Sequence, residues 1–392
     1  MAPRSFSLLL LLATACVASL ADARMLPFPL GLHAQRVSSS HAASAPSKYG
    51  RLPVFFFHGV TANARSGYHF VQNLTAEGRV VTALDFCQDE CSTEALPDQV
   101  PLAIAQIRAD IAKNPSAYRN GYIFIGHSQG GALSRAVIEE MDDHNVKLYI
   151  SLAGAQNGIF YGPQPADRVP LLVYANGFGA QLIPHDLFDF SHYTPADYNG
   201  KIQYDMTVAT FDHPEGQKSY SGFNLARSPV HDRWVASNPF LPVINNISPC
   251  QSGDKDDKEC VDAKARRRAN FLKLEVAHFF ISPEDGVISP WQTSIFGQYN
   301  DVKKEIDYND VEKEIDVLDK FEDLKILDMK LTLEYKEDTY GLRTLDERGG
   351  LFRHVLPDVT HTCWVIDSAS IVTQEPCYFQ PIYDEHLYPL LV

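Results

Sequence analysis

The stretch YIFIGHSQGGALSRAVIEEM, residues 122–141, decides the fold of this chain. Its first four residues form a continuous apolar run, which is typical of a β-strand buried on both faces of a sheet. Residues 126–130, GHSQG, form the one G-x-S-x-G pentapeptide in the sequence. A helical pattern follows from Gln129 to Met141. The order of strand, glycine-flanked serine and helix is the context that a nucleophile elbow requires.

The small residues around Ser128 have a mechanical reason. In such an elbow the turn strains the serine and points its hydroxyl outward above the sheet edge. Gly126 and Gly130 leave room where a Cβ atom would collide with neighbouring backbone. We therefore interpret Ser128 as a candidate nucleophile. The alternative is an idle serine in a glycine-rich turn between a strand and a helix.

Apolar strands alternate with helical patterns on both sides of this stretch. The pattern predicts strands at residues 52–57, 79–86, 122–125, 147–152, 271–281 and 351–356, and helices at 67–77, 98–113 and 129–141. Such alternation indicates βαβ units, which build a mostly parallel sheet flanked by helices. The predicted class is therefore α/β.

The 392 residues divide into segments of different composition. Arg4, the leucines at 8–12 and the ADA pattern at 21–23 predict a cleaved signal peptide. An uncleaved anchor is the alternative, but it needs about 20 apolar residues. The expected divisions are a signal peptide over 1–23, a leader over 24–50, core segments over 51–157 and 266–392, a cap insertion over 158–265, and an acidic insertion over 299–339 within the second core segment.

Charge and cysteine content limit the partners and the compartment. The net charge of −15 argues against a nucleic-acid partner, because phosphate contact needs a basic surface. After the signal peptide no apolar run can span a membrane.

Six cysteines follow the signal peptide in three close couples, which suggest the pairs 87–91, 250–260 and 363–377 among 15 possible connectivities. Asn73 and Asn246 begin N-glycosylation sequons. We expect a chain of the secretory pathway.

A serine nucleophile needs a general base, and the base needs an orienting carboxylate. Around a nucleophile elbow these partners follow in the order serine, acid, histidine. Asp285 comes directly after the predicted strand 271–281, with Glu284 as its competitor. His361 lies in the loop after the last predicted strand. His354 inside that strand and His386 near the end of the chain are the alternatives.

Two backbone amides are predicted to stabilise the oxyanion. One is the N–H of Gln129, the residue after the candidate nucleophile. The other belongs to the loop after the first strand, where we choose Val60. No metal site is predicted, because no cysteine couple is C-x-x-C and no histidine pair has zinc-finger spacing nearby.

With these residues the chain resembles the palmitoyl-protein thioesterase family of α/β-hydrolases, over roughly residues 50–392. The resemblance is carried by LPVFFFHG at 52–59, GHSQGG at 126–131, LAGAQNGIF at 152–160, NPFLPVINN at 238–246, DGVISP at 285–290, Phe296-Gly297 and Gly341-Leu342 followed by His361. It implies an α/β-hydrolase fold with an inserted cap. It also implies that Ser128 is the nucleophile, Asp285 the orienting acid and His361 the base, with Val60 and Gln129 forming the oxyanion hole.

The resemblance implies an enzyme that removes long-chain fatty acyl groups from S-acylated cysteines, in the lysosome or after secretion. Its partners would be S-acylated proteins or peptides and fatty acyl thioesters, and we expect a monomer without metal or organic cofactor. Ile159, Phe160, Phe178 and Phe240 are candidates to line an acyl groove, with plain cap core as the alternative. A lipase or carboxylesterase with the same triad, and a non-catalytic binding protein, remain the other interpretations.

Overall fold

A six-stranded parallel sheet forms the centre of the molecule. The computed structural model describes residues 49–162, 182–250, 257–302, 321–370 and 373–392. Outside the described residues lie the predicted signal peptide, most of the predicted leader, Phe178 and residues 303–320 of the predicted acidic insertion. The strands are β1 (Val54–Phe57), β2 (Val81–Ala83), β3 (Tyr122–His127), β4 (Val146–Leu152), β5 (Val276–Ile281), β6 (Gln298–Tyr299), β7 (Ile326–Leu327), β8 (Leu351–Val355), β9 (Ser368–Ala369) and β10 (Pro376–Cys377).

The strand order across the sheet is β2-β1-β3-β4-β5-β8, and every neighbouring pair is parallel. Strand β1 and strand β3 are buried at every position. Both strands lie inside the sheet with side chains packed on two faces, which explains their continuous apolar sequence. The α/β prediction is confirmed. The short pairs β6–β7 and β9–β10 are antiparallel and were not predicted.

Helices flank the sheet, and several lie in the described part of the segment between β4 and β5. They are α1 (Tyr68–Thr75), α2 (Leu96–Lys113), α3 (Pro115–Tyr118), α4 (Gln129–Glu140), α5 (Lys201–Asp212), α6 (Pro214–Ser219), α7 (Ser221–Leu225), α8 (His231–Ser237), α9 (Leu241–Ile244), α10 (Lys258–Phe271), α11 (Leu333–Lys336), α12 (Leu342–Glu347), α13 (Phe379–Ile382) and α14 (Tyr388–Leu391). None of the helices in these ranges is long and apolar enough to cross a membrane.

The predicted strand over residues 271–281 is wrong in its first half. Helix α10 continues to Phe271, and β5 begins only at Val276. The helix is held by ion pairs rather than by an apolar face. Arg267 donates to Glu140, and Arg268 donates to Asp338. A helix stabilised in this way lacks the apolar periodicity from which helices are predicted.

Three disulfides join the predicted cysteine couples, Cys87–Cys91, Cys250–Cys260 and Cys363–Cys377. The suggested pairing is confirmed. Each disulfide closes a short loop, so each stabilises local structure rather than linking distant segments. The pair at 363–377 ties the turn after β8 to the β9–β10 hairpin.

Helix α4, which begins directly after Ser128, is buried along almost its whole length. Arg135 and Glu139 are fully buried on it, with Arg135 Nη1 3.7 Å from Glu139 Oε1. Arg135 favours the ionised carboxylate. Burial disfavours it more strongly, because neither carboxyl oxygen of Glu139 accepts a hydrogen bond from the described residues. Burial therefore raises the pKa of Glu139 to about 8.

Because the pKa of Glu139 is raised, we expect the folded protein to lose stability as pH rises. The unfolded Glu139 ionises near pH 4.5 and the folded one near pH 8. The stability that the protonated Glu139 gives to the folded state is therefore fully present below pH 4.5 and is lost as pH rises through 8. Between pH 5 and pH 8 the free energy of unfolding should fall less in Glu139→Gln than in the wild type. Urea unfolding should show a difference between the two falls of at most roughly 4 kcal/mol. The exposed Glu337→Gln is the control, and parallel pH profiles of Glu139→Gln and wild type would contradict the prediction.

Candidate active site

The turn between β3 and α4 holds Ser128 in a strained conformation. Its φ of 57° lies in the left-handed region, which costs a non-glycine residue roughly 1–3 kcal/mol. A Cβ atom on Gly126 would lie 2.5 Å from the backbone oxygen of Gly130. One on Gly130 would overlap the backbone oxygen of His58. The two glycines are therefore required by close backbone approach, as the sequence predicted.

The imidazole of His361 lies between the hydroxyl of Ser128 and the carboxylate of Asp285. Its Nε2 is 2.9 Å from Ser128 Oγ, and its Nδ1 is 2.7 Å from Asp285 Oδ2. A carboxylate only accepts, so Nδ1 donates to it and Nε2 is left to accept the serine proton. The second oxygen of Asp285 accepts from the backbone N–H groups of Val287 and Ile288. The side chain of Asp285 is 1% exposed, and hydrogen bonds hold both of its carboxylate oxygens.

The sheet explains why residues so distant in sequence meet. Ser128 follows β3, Asp285 follows β5, and His361 opens the turn after β8. In a parallel sheet the carboxyl ends of all strands lie at one edge, where ligands bind in open α/β folds. The strand order β3-β4-β5-β8 places the end of β5 beside that of β8 and one strand away from that of β3. The structure thus brings together all three residues selected from the sequence.

His127, which precedes Ser128, makes a contact that the sequence did not reveal. Its Nε2 lies 2.8 Å from the carbonyl oxygen of His361. A carbonyl only accepts, so this nitrogen carries a proton and donates. Burial, and then the nearby His361, lower the pKa of His127 to about 3. A neutral ring therefore holds the backbone of His361 without adding charge to the site. Only its position beside the serine could have suggested this contact.

The loop after β1 lies against Ser128. A Cβ atom built on Gly59 would be 3.0 Å from Ser128 Cβ and 3.4 Å from its Oγ. The next residue, Val60, is the predicted oxyanion donor on this side. Gln129 is the first residue of α4. Its N–H therefore has no acceptor within the helix. Both predicted donors are thus on segments that adjoin the serine.

The other histidines lie elsewhere. His354 stands inside β8, where its ring stacks on Phe280 at 4.2 Å between centroids. Its Nε2 is 2.9 Å from Nδ1 of His278 on β5. His386 lies near the end of the chain, between α13 and α14. Of the three candidate bases, His361 is the one in contact with Ser128.

The candidate acyl-groove residues lie close to the core. Phe160 is fully buried in a cluster with Tyr299, Phe321 and Leu324. Phe240 is buried in the main core, and Ile159 is half-buried beside it. Two surface cavities of about 410 and 330 Å³ are lined by residues 185–205 and 356–386, and Ser128 lines neither. The position of the groove stays a prediction.

The two sequons differ in their surroundings. Asn73 is half-buried at the surface, where its side chain donates to Gln380. Asn246 is 6% exposed, and its Nδ2 donates to the carbonyls of Lys264 and Thr339. Attachment of a glycan to Nδ2 replaces one of its two hydrogens, so a glycan on Asn246 would remove one of these hydrogen bonds. Glycosylation at Asn73 and at Asn246 stays a prediction.

The described residues contain one close group of possible metal ligands, Cys87, Cys91 and Glu94. Both sulfur atoms of this group are joined in a disulfide. They therefore offer no thiolate to a metal ion. The group is best explained as part of a covalently closed turn.

A family model described as palmitoyl protein thioesterase matches residues 53–361. The chain is 30% identical over 326 residues to the lysosomal thioesterase PPT2 of Homo sapiens, covering 82% of this chain and 86% of the human protein. It is 26% identical over 314 residues to the lysosomal thioesterase PPT2 homolog of Drosophila melanogaster, covering 80% of this chain and 86% of the fly protein.

Solved structures of hydrolases are also similar. Carboxyl esterase 2 of the fungus Tuber melanosporum aligns with a TM-score of 0.39 and 11% identity, covering 96% of each chain. The monoacylglycerol lipase of Paleococcus ferrophilus aligns with a TM-score of 0.35 and 12% identity, covering 81% of this chain and 89% of the lipase. The fold itself is established by the strand order described above.

Proposed function

The chain belongs to the palmitoyl protein thioesterase family, and on that premise we propose that it hydrolyses fatty acyl thioesters through an acyl-serine intermediate. Its substrates are S-acylated proteins or peptides, from whose cysteines it removes palmitoyl groups. The observation that carries the proposal is the His361 imidazole, 2.9 Å from Ser128 Oγ and 2.7 Å from Asp285 Oδ2. The proposed steps need no metal or organic cofactor.

In the acylation step Ser128 Oγ attacks the thioester carbonyl carbon. His361 Nε2 accepts the hydroxyl proton as the new C–O bond forms. The imidazolium that results is stabilised by Asp285, whose carboxylate is already oriented by two backbone N–H groups. The buried carboxylate also fixes the ring in the tautomer that leaves Nε2 free to accept.

The negative charge on the carbonyl oxygen is held by the N–H groups of Val60 and Gln129. Such a donor contributes roughly 3 kcal/mol to lowering the barrier when it is positioned in advance. The packing of Gly59 against Ser128 supports this role for Val60, because it keeps the loop beside the reacting carbon. The helix start at Gln129 supports the second donor.

Collapse of the tetrahedral intermediate expels the cysteine sulfur as a thiolate. A thiol has a pKa of about 8.5, so its thiolate leaves far more easily than the alkoxide of an oxygen ester. His361 returns its proton to the departing sulfur. Water, deprotonated by His361, then attacks the acyl-serine. His361 returns this proton to Ser128 Oγ as the acyl–oxygen bond breaks, which releases the fatty acid.

The acyl chain supplies binding energy through its length. Each buried CH₂ contributes about 0.8 kcal/mol, so an apolar groove can bind a long chain without polar contacts. Ile159 is the candidate lining residue that stays half-buried. Phe160 and Phe240 would shape the groove from the core behind it.

We place the enzyme in the lysosome or outside the cell. Three disulfides fit an oxidising route through the secretory pathway. The curated relatives are described as lysosomal thioesterases. The predicted signal peptide over residues 1–23 agrees with both destinations.

Turnover of three substrates tests the proposal. Palmitoyl-CoA is expected to give a higher kcat/KM than p-nitrophenyl palmitate or emulsified triglyceride. Ser128→Ala should abolish all turnover, while Ser116→Ala, at an exposed serine in α3, should retain it. A preference for the oxygen esters would support a lipase or carboxylesterase instead. Folded wild-type protein that hydrolyses none of the three would support a non-catalytic binding protein.

A further inference from the structure

We propose that Ser92 is a positioning residue that holds both halves of the oxyanion hole, one through its hydroxyl and the other through its backbone oxygen. The inference rests on the proposed function, because it concerns the two N–H donors assigned there. Ser92 is fully buried in a 3-10 turn, Asp89–Thr93, next to the Cys87–Cys91 disulfide. We call residues 86–93 the disulfide turn and residues 58–64 the oxyanion loop.

The hydroxyl of Ser92 acts on the first donor. Its Oγ accepts a hydrogen bond of 2.6 Å from the backbone N–H of Thr61 and donates to the backbone oxygen of Asp89. Thr61 directly follows Val60, and its φ of 55° lies in the left-handed region. A β-branched residue rarely adopts that conformation without support. The hydroxyl therefore stabilises the backbone turn that aims the N–H of Val60.

Other contacts keep the disulfide turn in register with the oxyanion loop. His58 Nε2 donates to Phe86 O at 3.0 Å, Asp89 N donates to Ala62 O at 2.8 Å, and Ala64 N donates to Gln88 Oε1 at 3.0 Å. The disulfide between Cys87 and Cys91 limits how far this turn can relax. The disulfide turn thus serves as a rigid support on which the oxyanion loop is built.

The backbone oxygen of Ser92 acts on the second donor. It accepts a hydrogen bond of 2.8 Å from Nε2 of Gln129 and another of 3.1 Å from Nε2 of Gln99. Gln129 is 3% exposed, so its side chain is anchored inside the protein. The backbone N–H of the same residue is the second proposed oxyanion donor. Ser92 therefore links two segments that meet at the reacting oxygen.

The position of the two N–H donors affects stabilisation of the transition state more than binding of the substrate. Donors stabilise the oxyanion only when they are fixed where its charge develops, and small displacements cost a large part of the rate. A residue that only supported the fold would change stability and all binding together. A residue that aims the donors changes kcat and leaves the binding of unreacted substrate intact.

Ser92→Ala removes the hydroxyl and leaves the backbone oxygen. We expect kcat for palmitoyl-CoA to fall about tenfold to hundredfold, with KM close to that of the wild type. Tm should fall slightly, because the backbone N–H of Thr61 loses its acceptor. A palmitoyl trifluoromethyl ketone, which forms a tetrahedral adduct with a reactive serine, should bind more weakly by the same factor. A non-hydrolysable thioether analogue of palmitoyl-CoA should bind equally well. Ser92→Thr, which keeps a hydroxyl, should restore most of the loss.

Thr93→Ala is the matched control. Thr93 lies in the same turn, and its hydroxyl donates to Glu90 O away from both donors. It should keep the wild-type kcat and ketone affinity. Ser92→Ala with a wild-type kcat would overturn the inference, and so would a loss of thioether affinity that matches the loss of kcat. Wild-type protein that neither hydrolyses palmitoyl-CoA nor binds the ketone would overturn the proposed function as well.

Discussion

Replacement of His361 by alanine is expected to lower kcat for palmitoyl-CoA by about 10⁵–10⁶-fold. The imidazole is the group that contacts both the Ser128 hydroxyl and the Asp285 carboxylate. Without it the serine has no acceptor for its proton, and the thiolate has no donor. The loss should appear in kcat rather than KM, because the ring acts on atoms that move only in the transition state.

The two alternative histidines supply the controls for this experiment. His386→Ala should retain wild-type turnover. His354→Ala should retain wild-type turnover per folded molecule, with a lowered Tm, because its ring stacks on Phe280 in the core. Near-normal activity of His361→Ala together with loss of activity in His354→Ala would contradict the assignment of the base.

Replacement of Asp285 by asparagine is expected to lower kcat by about 10⁴-fold. The shape of the side chain is kept, but an amide can donate a hydrogen bond to Nδ1 of His361. That ring would then take the tautomer whose Nε2 carries a proton and cannot accept one from Ser128. The measurement is the initial rate with palmitoyl-CoA, compared at equal concentrations of folded protein.

Glu284→Gln is the matched control for this prediction, since Glu284 is the neighbouring carboxylate that the sequence offered as a competitor. It should leave kcat close to that of the wild type. If Glu284→Gln lost activity and Asp285→Asn did not, the orienting acid would have been assigned to the wrong residue.

The sequence predicted the sheet well because its strands are buried on two faces. Such strands appear as continuous apolar runs, as at 54–57 and 122–125. It did not predict α10, and it began the next strand at residue 271, where that helix ends. That helix is stabilised by Arg266, Arg267 and Arg268 pairing with acidic residues on other elements. Contacts that depend on a partner far along the chain leave no local period in the sequence.

In the candidate site too, some residues could be predicted from the sequence and others could not. Ser128, Asp285 and His361 could be selected because each follows a strand, and the carboxyl ends of parallel strands share an edge. The contribution of Ser92 could not be predicted. Its contacts with Thr61 and Gln129 each join a side-chain atom to a backbone atom, and a backbone atom leaves no signal in the sequence.

Labelling with a fluorophosphonate probe, followed by peptide mapping, tests the central claim that Ser128 is an activated nucleophile. We expect one labelled peptide, which contains residue 128. The label should disappear in Ser128→Ala and persist in Ser116→Ala. Folded wild-type protein that takes up no probe, or that carries it on a different serine, would show that Ser128 is not the nucleophile.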